Sequence, residues 1–212
     1  MDCESCARGL EHYCEHVPTL THNNPDRISG ENTYGGYSDS IVVREEFVLN
    51  VRHREKDLAG VAPLLCAGVA MWSPLRHWKV SKGQKVGIVG MGGLGHIGLK
   101  FAEALGAHVV AFTTSKSKRE DALKLGADEV VVSHDANAMA AHANSFEFIL
   151  DTVAVPHNLD AYLALLKRDA TLTLVGIPAQ PHPAPALANI VLGRRALGGS
   201  ALGGINETQA RL

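Results

Sequence analysis

The chain has 212 residues, enough for one sizeable hydrophobic core and part of a second. Hydrophobic residues make up 46% and charged residues 20%, with a formal net charge of −2, so composition excludes a strongly basic surface for nucleic acid or membrane. No apolar run approaches the roughly 20 residues of a membrane span, and Met1-Asp2-Cys3-Glu4-Ser5-Cys6 has neither the basic start nor the apolar stretch of an export signal. The expected location is the cytoplasm.

Residues 1–30 are polar, rich in Cys and His, and without clear periodicity, which predicts a lobe or loop. Residues 33–52 read as β, through Tyr34-Gly35-Gly36-Tyr37-Ser38, Ile41-Val42-Val43 and Phe47-Val48-Leu49. Asp57 to Ala70 reads as helix, with Leu58, Val61, Leu64, Leu65 and Val69 near helical spacing, and Pro74 interrupts before a second short amphipathic stretch. From Gln84 the pattern becomes strand–helix alternation. Strands are expected at 86–89, 108–113, 130–132, 146–153, 172–175 and 196–202, and helices at 94–105, 118–125, 136–143, 159–166 and 186–192. A last helix begins at Glu207. Six strands alternating with helices predict a doubly wound, mostly parallel sheet. Its strands are apolar runs, as expected when both faces are covered.

The most informative stretch is Val86-Gly87-Ile88-Val89-Gly90-Met91-Gly92-Gly93-Leu94-Gly95. A short strand turns through glycines into a helix, and Gly90, Gly92 and Gly95 fit G-x-G-x-x-G. Each glycine has a physical job at a dinucleotide-binding turn. Gly90 permits the tight turn, Gly92 has no Cβ to block a pyrophosphate, and Gly95 lets helix and strand pack closely. The anion then meets free N–H groups at a helix N-terminus. The alternative is a glycine-rich connection with no ligand. At the end of the second strand stand Thr113-Thr114-Ser115-Lys116-Ser117-Lys118-Arg119, with hydroxyls and cations and no carboxylate. A carboxylate there would bind the ribose 2′-hydroxyl of NAD, whereas hydroxyls and Lys or Arg suit a 2′-phosphate. The tip favours NADP(H). Ser115 capping the next helix is an alternative use compatible with the first.

Cys3 and Cys6 are two residues apart and Cys14 follows after seven more, a crowding that points to metal rather than disulfides in a chain without an export signal. A tetrahedral zinc takes four ligands, and three are present. His12, His16 or His22 are candidate substitutes, and free thiols are the plain alternative. Cys66 stands apart in Ala62-Pro63-Leu64-Leu65-Cys66-Ala67-Gly68, where pattern alone reads it as a small buried hydrophobe.

Together these residues resemble the zinc-dependent alcohol dehydrogenases of the medium-chain dehydrogenase/reductase superfamily, in particular the cinnamyl-alcohol-dehydrogenase-like NADP(H) aldehyde reductases. The resemblance rests on Cys3-x-x-Cys6-x7-Cys14, Tyr34-Gly35-Gly36-Tyr37-Ser38, the Cys66 segment with Ser73-Pro74-Leu75, the glycine loop, the 113–118 tip, Asp151-Thr152, Val175-Gly176 and Gly199-Ser200-Ala201-Leu202. It implies a Rossmann domain at 61–205, preceded at 1–60 by part of a GroES-like catalytic domain with a structural-zinc lobe, and followed at 206–212 by the start of a return segment. It implies cofactor contacts at Gly90, Gly92, Gly93, Leu94, Gly95, Thr113, Thr114, Ser115, Lys118, Thr152, Gly176, Ser200, Ala201 and Leu202. It also implies structural-zinc ligands at Cys3, Cys6 and Cys14, and makes Cys66 one protein ligand of a catalytic zinc. That zinc would polarise the oxygen of an alcohol or aldehyde while hydride passes to or from the nicotinamide. Relatives carry further segments on both sides, including the other catalytic-zinc ligands, so the resemblance implies an internal stretch with Met1 an internal methionine. The alternative reading is therefore an NADP(H)-binding module without turnover. A homodimer through the Rossmann sheet is implied, with no nucleic-acid or membrane partner.

Overall fold

The structure, a computed structural model, describes residues 3–16 and 20–210. Contacts divide the chain into two compact units, Met1–Val61 with Gly203–Leu212, and Ala62–Leu202. The break expected after residue 205 thus falls between Leu202 and Gly203. Met1 and the end of the helix expected at 207–212 lie outside the described residues.

The first unit is sparing in regular structure. Helix α1 (Glu4–Ala7) is followed by a 3₁₀ turn at Glu11–Tyr13, then by an antiparallel hairpin of β1 (His22–Pro25) and β2 (Asn32–Tyr34). The strands expected at 41–43 and 47–49 do not form. Residues 41–44 have no regular structure, 45–47 make a 3₁₀ turn, and Val42 is fully exposed at 100%. A β-branched run becomes a strand only beside a partner ladder, and among the described residues none runs alongside. Helix α2 (Leu58–Val61) closes this part. Helix α9 (Ile205–Gln209) belongs to the same unit, where Ile205 N–H donates to Glu11 Oε2 at 3.1 Å and the Gln209 amide pairs both ways with the Asn50 backbone at 2.7 and 3.0 Å.

The helix expected from Asp57 to Ala70 is broken in two. After α2 the chain passes through a 3₁₀ turn at Ala62–Leu65, and α3 (Ala67–His77) starts afresh beyond Cys66, whose backbone is non-helical at φ −120°, ψ −74°. Pro63 and Cys66 set the break, and Pro74, expected to interrupt, lies inside α3. A proline there deprives the Ala70 carbonyl of its helical donor. The helix survives because Met71 and Leu75 are fully buried in the core against the next helix.

The second unit follows the alternation read from sequence. In order come β3 (Lys85–Val89), α4 (Gly93–Ala104), β4 (His108–Thr113), α5 (Arg119–Lys124), β5 (Glu129–Val132), α6 (Ala136–Ala140), β6 (Phe146–Asp151), α7 (Asp160–Leu163), β7 (Leu166–Leu174), α8 (Leu187–Val191) and β8 (Ala196–Gly199). The six strands form one sheet in the order β5-β4-β3-β6-β7-β8, and every pair is parallel. Strand β7 begins six residues earlier than expected and α7 is correspondingly shorter. Its Lys167-Arg168-Asp169 stretch is exposed and slips register between Phe146↔Leu166 and Phe148↔Thr171, with Asp169 at φ +68°. Charged residues hid this bulge from a search for apolar runs. Strand β8 ends at Gly199, so Ser200-Ala201-Leu202 lies beyond the sheet rather than in it.

Period-two alternation divides the core into two faces. Val86, Ile88, Val109, Ala111, Phe148 and Leu150 meet α3 and α4 on one side, with Met71, Leu75, Leu99 and Ala102. Val89, Val110, Phe112, Ile149 and Leu172 meet Met139, Leu163 and Tyr162 on the other. On that second face Phe112 fills the space over Gly87, where an added Cβ would lie 2.9 Å from Phe112 Cε2 and 3.1 Å from Ile149 Cγ1. Phe112 also packs against Phe146 and Tyr162, each at 5.5 Å between ring centroids. Truncating Phe112 to Ala empties this junction, and the expected cost is about 3–5 kcal/mol. Urea denaturation of Phe112→Ala should show the midpoint falling accordingly, and a change under about 1 kcal/mol would mean that the second face is not close-packed.

Candidate functional site

The direction of sheet growth reverses between β3 and β6. The chain runs outward from β3 to β5, returns to β6, and runs outward again to β8. In such sheets a crevice opens at the carboxyl ends of the strands where the direction changes. The glycine loop follows β3 at that place.

Its glycines differ in the way their predicted jobs require. Gly90 has φ +93°, and its N–H donates to the Phe112 carbonyl at 3.0 Å, which turns the chain off β3. Gly95, in the first turn of α4, faces the loop so closely that a Cβ would run into the Gly90 carbonyl oxygen. At Gly92 and Gly93 an added Cβ meets nothing within 4 Å. Gly92 is the N-cap of the 12-residue α4, so open space lies directly before the free N–H groups of a helix N-terminus. An anion that needs close backbone approach fits this cradle. Leu94 is half-buried beside it.

The tip after β4 is tied to the loop. Lys118 Nζ donates to the Met91 carbonyl at 3.1 Å, holding its ammonium beside the glycine turn. Ser115 N–H donates to Thr113 Oγ1 at 3.1 Å, and the Ser115 and Ser117 hydroxyls pair at 2.7 Å. Thr114 and Lys118 are exposed and Ser115 half-buried. Arg119 is committed elsewhere, donating to the Val130 carbonyl at 2.9 Å. No side-chain cap bond forms at Ser115, so the hydroxyls are not used to start the helix.

Beyond β6, Thr152 sends both its N–H (3.0 Å) and its hydroxyl (2.8 Å) to the Val89 carbonyl. Beyond β7, a Cβ on Gly176 would run into the Val153 carbonyl. Beyond β8, Ser200 N–H donates to the Leu174 carbonyl at 3.0 Å, and Ala201 and Leu202 are exposed. The residues expected to touch a dinucleotide thus follow the carboxyl ends of β3, β4, β6, β7 and β8 in one sheet. Sequence reading did not single out His157 and His182. His157 Nε2 lies 2.7 Å from Oδ2 of the fully buried Asp151. A carboxylate at the end of an otherwise apolar strand was the available signal.

In the other unit, the Sγ atoms of Cys3, Cys6 and Cys14 all lie within 4.8 Å of one another. Backbone donors, Glu15 N–H first and then Cys6 N–H, lower the Cys3 thiol to about 7. The Cys3 thiol beside it and burial push Cys6 up to about 12. A cluster of three thiols, with Cys3 eased toward thiolate and Cys6 held back, is a soft donor set suited to zinc. Three sulfurs occupy three of four tetrahedral positions, and among the described residues no histidine joins the cluster. Cys66 is exposed, which corrects its reading as a buried hydrophobe, and it belongs to no cluster of three ligating side chains among the described residues.

A six-stranded parallel sheet that reverses at a glycine loop defines a Rossmann-type fold. The chain belongs to the zinc-binding dehydrogenase family, whose model matches residues 93–212. Among curated proteins it is 60% identical over 210 residues to an aldehyde reductase, YahK, of Escherichia coli K12, covering 99% of this chain and 60% of that protein. Among solved structures it matches a cinnamyl alcohol dehydrogenase of Sorghum bicolor with a TM-score of 0.91 and 42% identity, covering 98% of this chain and 59% of that one. It also matches a CAD of Helicobacter pylori complexed with NADP(H), at a TM-score of 0.86 and 38% identity, covering 99% and 59%. The chain thus spans about three fifths of the relatives it matches. No single helix among the described residues is long and apolar enough to cross a membrane.

The two kinds of glycine should separate in stability. Gly95→Ala forces a side chain onto a backbone oxygen and should lower the thermal midpoint sharply, whereas Gly92→Ala, at an open N-cap, should cost about 1 kcal/mol or less. Unfolding scans without ligand check this, and equal losses would refute the close-contact role of Gly95.

Proposed function

We propose that this chain binds NADP(H) and serves hydride transfer between that cofactor and an alcohol/aldehyde pair. The observation that carries the reading is the pairing of an open glycine cradle with a lysine and hydroxyl tip tied to the same loop. The nicotinamide supplies the hydride. Gly92 and the N–H groups of α4 receive the pyrophosphate. Ser115 and Thr114 offer hydrogen bonds to the 2′-phosphate while Lys118 neutralises it, and the buried Thr113 holds the Ser115 backbone through its hydroxyl. Thr152, Gly176 and the 200–202 segment line the nicotinamide end. The same reading has the chain working in the cytoplasm on a small-molecule alcohol or aldehyde, and a second copy adding to the sheet at β8.

Zinc enters in two ways. Cys3, Cys6 and Cys14 supply three of the four ligands that a structural zinc takes, so this chain by itself holds such an ion weakly. Cys66 joins no cluster of three ligating side chains among the described residues, and a catalytic zinc takes three protein ligands and an open position. That observation favours a second reading, in which the chain binds the dinucleotide without turning substrate over.

Two measurements test these readings. Lys118→Ala combined with Ser115→Ala should weaken NADPH binding about tenfold or more, the worth of a charge-assisted contact, and NADH binding much less. Equal losses for the two cofactors would remove the tip from 2′-phosphate recognition. Separately, the purified chain should hold well under one zinc by elemental analysis and show no aldehyde-dependent NADPH oxidation. Stoichiometric zinc with robust turnover would overturn the second reading.

A further inference from the structure

The end of β6 holds a titratable pair that the dinucleotide reading leaves unused. Asp151 is fully buried at 0% exposure, and both its oxygens are engaged. Oδ1 accepts the Val153 N–H at 2.9 Å, and Oδ2 lies 2.7 Å from His157 Nε2. The other ring nitrogen settles the proton inventory. His157 Nδ1 lies 2.9 Å from the Val155 carbonyl oxygen, which only accepts, and 3.4 Å from His182 Nε2, so the shorter contact gives Nδ1 a hydrogen, donated to the carbonyl. The second histidine is assigned in the same way. His182 Nδ1 faces the Pro183 carbonyl at 3.2 Å and donates to it, leaving Nε2 to accept the His157 backbone N–H at 3.4 Å. What remains is the 2.7 Å gap between Asp151 and His157. Two bare acceptors at that distance would repel, so one proton occupies the gap. The pair is an imidazolium with a carboxylate, or a neutral ring with a carboxylic acid, and either way its net charge is zero.

The surroundings favour keeping that proton. Burial raises the Asp151 carboxyl above its usual range, against the lowering effects of the Val153 N–H, His157 and His182. The groups facing the pair come from three elements. Asp151 ends β6. His182 comes from the segment between β7 and α8, with its ring 4.9 Å from that of His157. Tyr162 of α7 stands edge-on to His157 at 5.9 Å, its phenol kept neutral by burial and donating to Ser133 Oγ at 3.1 Å. Asp160 commits its carboxylate to the Ala186 N–H at 3.0 Å and the Asn189 amide at 2.8 Å. Among these groups only the two histidines favour the Asp151 anion, and burial outweighs them.

The pair also holds a strategic turn. Residues 151–153 are wedged between the glycine loop and the end of β7. An added Cβ on Gly90 would lie 2.7 Å from Thr152 Oγ1, and one on Gly176 would strike the Val153 carbonyl. His157 in turn ties the 155–157 loop to the His182 segment. We propose that Asp151 and His157 share one buried proton and together position the 151–153 turn for the dinucleotide, so that affinity falls as pH rises and the proton leaves to solvent. Loss of the proton takes the pair from neutral to −1, sets a carboxylate against a lone pair, and adds a buried anion beside a crevice built for phosphates. His157 acts here as a positioning residue. The inference rests on the dinucleotide reading.

The test is a fluorescence titration of the full chain with NADH and with NADPH from about pH 6 to about pH 9, on both sides of neutrality. NADH lacks the 2′-phosphate, whose own titration would otherwise enter the profile. Wild type should lose affinity about tenfold across the range. Asp151→Asn keeps an amide donor toward His157 and an acceptor for Val153 but cannot ionise, so its affinity should vary less than about twofold over the same range. His157→Gln should bind more weakly than wild type and lose the pH dependence. An Asp151→Asn profile as steep as the wild type's, or a His157→Gln profile identical to it, would overturn the proposal. Should the wild type bind neither cofactor at any pH, the dinucleotide reading fails, and ring ¹⁵N resonances still decide the pair. His157 with both nitrogens protonated or hydrogen-bonded to a proton at neutral pH supports it, and a bare Nε2 overturns it. The same spectra serve if a variant fails to fold.

Discussion

The α/β unit turns on a contact between two backbones. Gly95 at the start of α4 sits against the Gly90 carbonyl with no room for a single carbon between them. That approach puts the mouth of the helix directly over the end of β3. Everything else at the edge is then fixed from the same point. The Val89 carbonyl receives Thr152 twice, the Met91 carbonyl receives Lys118, and the Phe112 carbonyl receives Gly90. Three neighbouring strands are thus pinned to one six-residue turn by main-chain oxygens. A side chain at position 95 would push the helix away and loosen all three.

Charge is distributed with the same economy. The chain carries a slight net negative charge, so a polyanionic ligand gains nothing from the overall field. Attraction has to be local. The free N–H groups of α4 and the Lys118 ammonium supply it within one turn of each other, while Arg119 is turned to structure through the Val130 carbonyl. The neutral Asp151–His157 pair proposed above adds no net charge at the end of β6, so it leaves that local attraction unopposed.

What could be read from sequence followed from local rules. Both-faces burial makes β3, β4 and β6 continuous apolar runs, and glycine spacing marks the turn, so the sheet and its crevice were legible. Strands that depend on a partner were not. Residues 41–43 have the β-branched composition of a strand, yet lack a neighbouring ladder among the described residues and stay irregular. Strand β7 starts in Lys167-Arg168-Asp169, whose charges disguise a bulge that only the pairing with β6 reveals. Pro74 looked like a stop because proline removes a donor, but tertiary burial of Met71 and Leu75 outweighs one lost hydrogen bond. Cys66 looked buried because its neighbours are apolar, and the break at Pro63 turned it out to solvent. His157 and His182 are 25 residues apart and meet only because β6 and β7 are adjacent.

The cysteine cluster obeys a different constraint. Three sulfurs within 4.8 Å of one another cannot all ionise without a cation, because each thiolate raises the cost of the next. The structure already expresses this in the split between Cys3, eased by backbone donors, and Cys6, held protonated by its neighbours. The two groups differ in direction although their sequence surroundings are alike. A divalent metal would reverse that repulsion, since it stabilises every thiolate at once and displaces the thiol protons. The sulfur cluster thus acts on a ligand through protons it can release, whereas the glycine turn acts through open space and free N–H groups at a helix N-terminus.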